Sequence, residues 1–282
     1  MKLFFSSLLA TFLTLSSSQC LQNQCQAQDD TSTPVLHVIV AMDPQPGNPG
    51  LVQCTRNTIA QHERMITNLE EALEGELTVE KQVFKDNNWG GTAIFNACSQ
   101  LDVKPNDAIY FIYNGHGFGT NKLDEVDDKW PALWLQPNSD GTRDDLRLSD
   151  IYRKLASKQP RLLLVISESC NNYIDSKYTP PEVRGLYRKQ LCKDLFVNSS
   201  GKYIVSGSKR GEVTWGPEIG CAFTHKFMHE IGETLGSNSY DEATNGWNAI
   251  LTRSTQRMEV IFEDGATRVQ NPQFESNPVL RD

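Results

Sequence analysis

The chain has 282 residues, 38% of them hydrophobic and 22% charged, enough to bury one substantial core. A formal net charge of -8 argues against nucleic acid as the main partner. Basic residues gather at Lys177, Arg184, Arg188, Lys189 and Lys193, but no aromatic stacking motif accompanies them.

Met1 and Lys2 precede an apolar run to Leu15 and then Ser16, Ser17 and Ser18, the pattern of a secretory signal peptide. The run is shorter than the ~20 residues of a spanning helix, and no later segment qualifies, so no transmembrane segment is expected. Cleavage is expected after Ala27, with Ser18 as the second choice. Lipidation at Cys20 is the lesser alternative, because Gln19 is a poor residue to precede a lipidated cysteine. The chain then divides into a signal peptide (1–27), a polar lead-in (28–34) and one domain (35–282), exported to a secreted or periplasmic location.

Residues 35–42 form a β-branched run of strand length that ends at Asp43, and their continuous hydrophobicity predicts burial on both faces. Pro44, Pro46, Gly47, Pro49 and Gly50 mark a loop. Ile59, Met65, Ile66, Leu69 and Leu73 recur at helical spacing until Gly75. A second strand is expected over 77–84 and a second helix over 92–101. A third buried strand, 107–113, runs directly into Asn114, Gly115, His116 and Gly117.

The patch Leu133, Trp134, Leu135 predicts a hairpin with 146–148, and Ser149 and Asp150 open a helix through Ala156. A fourth strand, 161–166, ends in Ser167, Glu168, Ser169 and Cys170. A fifth covers 203–207, and a helix covers 222–232. Strands alternate with helices almost throughout, which predicts one α/β domain with a mainly parallel sheet covered by helices on both faces.

In such sheets ligands bind outside the carboxyl ends of the strands. His116 and Cys170 each follow a buried strand at that edge. A thiol needs a base or a depressed pKa to attack a carbonyl at neutral pH, and an imidazole supplies either. The amides of Gly117 and Cys170 are candidates to donate to a developing oxyanion. Removal of Cys20 and Cys25 leaves an odd set, Cys54, Cys98, Cys170, Cys192 and Cys221. With Cys170 as nucleophile, the others are left for up to two disulfides or for packing as small buried hydrophobes.

The runs 110–117 and 163–170, a hydrophobic strand ending in His-Gly and another ending in acid-x-Cys, resemble the caspase and metacaspase family of cysteine peptidases (peptidase family C14). Ser206-Gly207-Ser208, Trp215-Gly216-Pro217-Glu218 and Gln270-Asn271-Pro272-Gln273 extend the resemblance over residues 35–274. The resemblance implies a caspase-like three-layer sandwich and an endopeptidase with a His116/Cys170 dyad. Its substrates are proteins or peptides, its chemistry needs no cofactor, and calcium activates some relatives. It also implies an S1 pocket lined by Glu168, by Asp43 and by Ser206 on the groove strand, which favours Arg or Lys at P1. Self-cleavage within 174–202 at Lys177, Arg184 or Arg188 fits the same preference.

Glu168 stands where metacaspases carry Asp, and Asn171-Asn172-Tyr173 replaces their usual continuation. Glu-x-Cys is closer to legumain, which makes an Asn/Asp-specific peptidase the alternative. A catalytically silent caspase-fold binding protein is a further one. His225, His229 and Glu230 share a predicted helix face that metal chemistry would need, without HExxH order. Asp124, Glu125, Asp127 and Asp128 are acidic but lack the spacing of a calcium loop.

Overall fold

A computed structural model describes residues 32–43, 49–86, 88–118, 128–137, 146–173, 187–216, 219–261 and 265–278, without the side chains of 50, 51 and 170–173. The predicted signal peptide lies outside the described residues. Ser32–Asp282 make one compact unit.

The first apolar run is a strand, β1 (Val35–Met42), followed by α1 (Pro49–Ala72), β2 (Thr78–Phe84), α2 (Gly91–Gln100) and β3 (Ala108–Gly115). Short strands β4 (Gly117–Phe118), β5 (Ala132–Leu133) and β6 (Leu146–Arg147) lead into α3 (Leu148–Ala156) and the long β7 (Leu162–Tyr173). Then come α4 (Lys189–Lys193) with a π-helical turn (Asp194–Asn198), β8 (Gly201–Ser206), β9 (Thr214–Gly216) and α5 (Ala222–Leu235). The chain ends in α6 (Glu242–Asn245), α7 (Trp247–Ser254), β10 (Met258–Ile261), β11 (Thr267–Gln270) and β12 (Gln273–Ser276).

The main sheet has the order β12-β8-β7-β3-β1-β2. All neighbours are parallel except β12, which runs antiparallel along β8 at one edge. Period-two alternation divides the strand side chains between two cores. Val38, Val40, Tyr110, Ile112, Leu164, Ile166 and Val205 face α1, α4, α5 and α7. Ile39, Ala41, Ile109, Phe111, Leu163, Val165 and Ile204 face α2 and α3. The architecture is the expected three-layer α/β sandwich. No helix among the described residues is long and apolar enough to cross a membrane.

Several boundaries differ from the sequence reading, each for a local reason. Pro49 and Gly50, expected in the loop, begin α1; proline lacks only a donor that the first helical turn leaves unpaired anyway. The predicted hairpin forms between β5 and β6, and β4 adds a third strand beyond His116. The fourth strand does not stop at Ile166: β7 continues to Tyr173 because β9 takes over from β8 as its neighbour, pairing Cys170 with Thr214 and Tyr173 with Gly216.

The opposite edge of the sheet is pinned by Asp107. Its buried carboxylate accepts from the amides of Val35 and Lys104, each at 2.8 Å, and lies 3.3 Å from His37 Nε2. Charge-assisted bonds to backbone amides are stronger than neutral ones, and here they bind the start of β1 to the start of β3. Above the sheet, α1 docks through His62, whose Nδ1 lies 2.6 Å from the Tyr110 hydroxyl. Burial lowers the His62 pKa to about 3.

His62 therefore folds away neutral. The unfolded chain binds a proton there below about pH 6.5, so this residue's contribution opposes folding increasingly as pH falls from that value. His62→Gln is expected to weaken the acid dependence of the urea midpoint between about pH 6.5 and about pH 4. An unchanged slope would show that the imidazole is not buried neutral.

Candidate functional site

The register of three parallel strands brings the chemistry-bearing residues to one edge. Met42 is level with Asn114, Asn114 with Glu168, and Gly115 with Ser169. Asp43, His116 and Cys170 thus follow one another off neighbouring strands at the carboxyl edge of the sheet. The Gly115-His116-Gly117 turn fits closely between its neighbours. A Cβ on Gly115 would lie 2.3 Å from Asp43 Cβ, and one on Gly117 would lie 2.5 Å from Ser169 Cβ. The two glycines let the histidine turn lie directly on the residues before and beside it, including the one preceding Cys170.

His116 is held from several sides. Its carbonyl accepts from the amide of Trp134 at 2.9 Å and from the buried Tyr113 hydroxyl at 2.6 Å. Its amide donates to Asp43 Oδ2 at 3.3 Å, and its Nδ1 lies 3.4 Å from the same oxygen. The imidazole is 29% exposed and the Asp43 carboxylate fully buried. A carboxylate at Nδ1 favours the tautomer with its proton there and leaves Nε2 basic. The separation is longer than a normal hydrogen bond, and Nδ1 has no hydrogen-bond partner among the described residues.

Cys170 lies in β7, paired with Thr214 of β9. Its thiol lies outside the described residues, as do the side chains of Asn171, Asn172 and Tyr173. What is described is the backbone that carries it, one residue past the contact between Gly117 and Ser169. Ser169 itself is buried, with its hydroxyl 2.7 Å from that of Ser167.

The three residues expected in S1 are not brought together. Glu168 points to the α1/α5 face, where its Oε2 accepts from the amide of Thr224 at 3.0 Å and from the Thr224 hydroxyl. Asp43 turns to the other face, beneath His116. Ser206 is level with Ser167, and its hydroxyl donates to the carbonyl of Ser208 at 2.9 Å. The reason is the strand period: Glu168 follows Leu164 and Ile166 on one face, while Asp43 follows Ile39 and Ala41 on the other.

Glu168 instead closes a buried polar chain that sequence reasoning missed. The Thr224 hydroxyl links it to His62 Nε2 at 3.4 Å, and His62 links onward to Tyr110. Glu168 Oε1 is buried with no hydrogen-bond partner. Burial pushes the Glu168 pKa well above the usual carboxylate range, while the Thr224 donors pull it down. Gln270, buried in β11, donates to the Gly207 carbonyl at 2.8 Å and accepts from the Trp215 amide at 2.9 Å. It thereby joins the exit of β8 to β9, the neighbour of Cys170. The Gln270-Asn271-Pro272-Gln273 motif was the only sequence signal for that contact.

A groove leads from Gly117 and Ser169 past Trp130 to Lys209, Arg210 and Glu212. Its cations include Lys129, paired with Glu275. Among the described residues no group of three or more His, Cys, Asp or Glu is placed to hold a metal ion. Glu230 is engaged by Lys226 and Arg253, each at 2.6 Å, and His225 is buried. Asp124, Glu125 and Asp127 lie outside the described residues, and Asp128 accepts from the Trp130 amide and the Ser149 hydroxyl.

Lys177 and Arg184 lie outside the described residues too. Arg188 is exposed, and Lys189 and Lys193 both pair with Glu76. The allowance for two disulfides shrinks. Cys98 packs in the α2/α3 layer and Cys192 in the α1/α5 layer, so the sheet separates them.

The class defined by this arrangement is a three-layer α/β sandwich with a histidine turn and a cysteine strand at one sheet edge. No protein-family model matches the sequence, and no curated protein matches it. Among solved structures the chain is similar to caspase-1 from Spodoptera frugiperda, at 11% identity over 86% of this chain and 88% of that one, with a TM-score of 0.48. It is also similar to a protein from Geobacter sulfurreducens, at 16% identity over 86% and 93% of the two chains, with a TM-score of 0.47.

Glu168 offers a direct test of the buried chain. A carboxyl whose folded pKa is raised favours folding below its unfolded pKa, and that contribution is lost as pH rises through the folded value. Glu168→Gln removes the ionisation and keeps an acceptor for Thr224. The melting temperature of the variant relative to the parent should therefore rise as pH increases above about 4.5. A difference that stays flat with pH would mean that Glu168 is not held protonated.

Proposed function

We propose that this protein is a caspase-like cysteine endopeptidase, exported and cut from its signal peptide after Ala27. The observation that carries the proposal is the register: β3 and β7 pair side by side up to Gly115 and Ser169, with Gly117 packed on the residue before Cys170. His116 acts as general base toward Cys170, and Asp43 orients its ring. The thiolate attacks the scissile carbonyl, His116 protonates the leaving amine, and water releases the acyl-enzyme. The amides of Gly117 and Cys170 are the proposed oxyanion donors.

Basic P1 residues remain the proposed preference, now resting on Glu168 without Asp43. A buried carboxyl held protonated does not attract a cation strongly. An arginine or lysine entering beside it favours the ionised form, so recognition and deprotonation are coupled. Preference for Arg over Asn at P1 should accordingly grow with pH. The legumain-like reading predicts the opposite selectivity at every pH.

Fluorogenic peptides with Arg, Lys, Asn or Asp at P1 test the scheme. Cys170→Ala should abolish cleavage, and His116→Ala should lower kcat/KM by about 10²–10⁴-fold. Asp43→Asn should lower kcat by at least about tenfold with KM little changed. Activity that survives Cys170→Ala would overturn the thiol mechanism. Cleavage of no peptide by the mature protein, including after limited proteolysis within 174–202, would favour the silent binding protein.

A further inference from the structure

Cys54 and Cys221 are 167 residues apart in sequence, yet their sulfurs lie 3.2 Å from each other in the interior. Cys54 is carried by α1, and Cys221 is the residue that precedes α5. Room for two sulfurs is provided by a third residue. A Cβ on Gly216 would lie 2.6 Å from the Cys54 sulfur and 2.9 Å from that of Cys221, closer than real Cβ atoms come. Gly216 sits in β9 beside Tyr173 of the cysteine-bearing strand. The sulfur pair therefore adjoins the candidate site without belonging to its chemistry.

Cys98 and Cys192 lack this arrangement. They are buried on opposite faces of the sheet, and burial pushes each thiol up to about 12.

We propose that Cys54 and Cys221 form a disulfide in the mature protein. A disulfide bond is about 2.05 Å long, so side-chain rotation must bring the sulfurs closer by a little over an ångström. The oxidant is a small-molecule or protein disulfide met during folding. One thiolate attacks it to give a mixed disulfide, and the second displaces the remaining thiol. The reagent leaves as two thiols, having taken two electrons and two protons.

The bond encloses most of the domain in one loop, which lowers the entropy of the unfolded chain strongly. It also ties α1 to the start of α5, whose Thr224 holds Glu168. In the reduced form that helix start rests on non-covalent contacts alone, such as the Cys221 amide donating to the Thr58 hydroxyl at 2.9 Å.

The test uses the mature chain folded with reduced and oxidised glutathione, then denatured without reductant, alkylated, digested and weighed. The expected product is one linked peptide pair containing Cys54 and Cys221, about 2 Da lighter than the sum of the reduced peptides. Cys98 and Cys192 should be alkylated. Full alkylation of Cys54 and Cys221, or linkage of either to another cysteine, would overturn the proposal. Reduction should lower the melting temperature of the parent by roughly 5–10 °C and leave that of Cys54→Ser unmoved. An equal drop in both would show that the stabilisation comes from elsewhere. Peptidase activity enters none of these readouts, so the result stands apart from the proposed function.

Discussion

The parallel register of β1, β3 and β7 is the constraint on which the rest depends. It is fixed at both edges by different means. At the amino edge the Asp107 carboxylate, just before β3, accepts from the Val35 amide at the start of β1, and a one-residue slip would break that bond. At the carboxyl edge the absence of side chains at Gly115 and Gly117 lets the turn settle against Asp43 and Ser169. A slip of one residue would also exchange the two faces of each strand. His116 would then lose Asp43, and Glu168 would lose Thr224. Core packing and site geometry are thus specified by one alignment.

Glu168 shows how opposing terms are weighed inside such a fold. The start of a helix favours a negative charge, and two Thr224 donors reach its carboxylate. Against them stands complete burial, with Oε1 left without a hydrogen-bond partner among the described residues. Desolvation is the larger effect. The residue is thereby both a strap between β7 and α5 and a group whose charge depends on what comes beside it. A buried carboxylate ionised without a compensating partner would cost stability throughout.

Much of the fold was legible because buried parallel strands have an unmistakable composition. Residues 35–42, 107–113 and 161–166 are nearly continuous apolar runs, and each is a central strand. The edges were not legible. β12 pairs antiparallel with β8 through a mixed sequence, and β10 and β11 are only four residues each. Their pairing depends on partners far away in the chain, which no local pattern records. The continuation of β7 past Ile166 was hidden for the same reason, since β9 supplies its neighbour from more than forty residues away in sequence.

At the site, the sequence by itself determined which reactive groups stand at strand ends: His116 between glycines, Cys170 after a buried run, and carboxylates at Asp43 and Glu168. Composition and period suffice for that, because they are local properties of a buried strand. Only the tertiary structure decided which of these groups meet. Alternation within β1 and β7 sends Asp43 to His116 and Glu168 to Thr224, on opposite faces, so a pocket shared by the two acids does not form. The same holds for the cysteines. Their number and odd count are in the sequence, but it takes the docking of α1 against the start of α5 to bring Cys54 to Cys221 and to keep Cys98 and Cys192 apart across the sheet. Contacts between distant segments are set by how layers pack, and packing is a property of the whole chain.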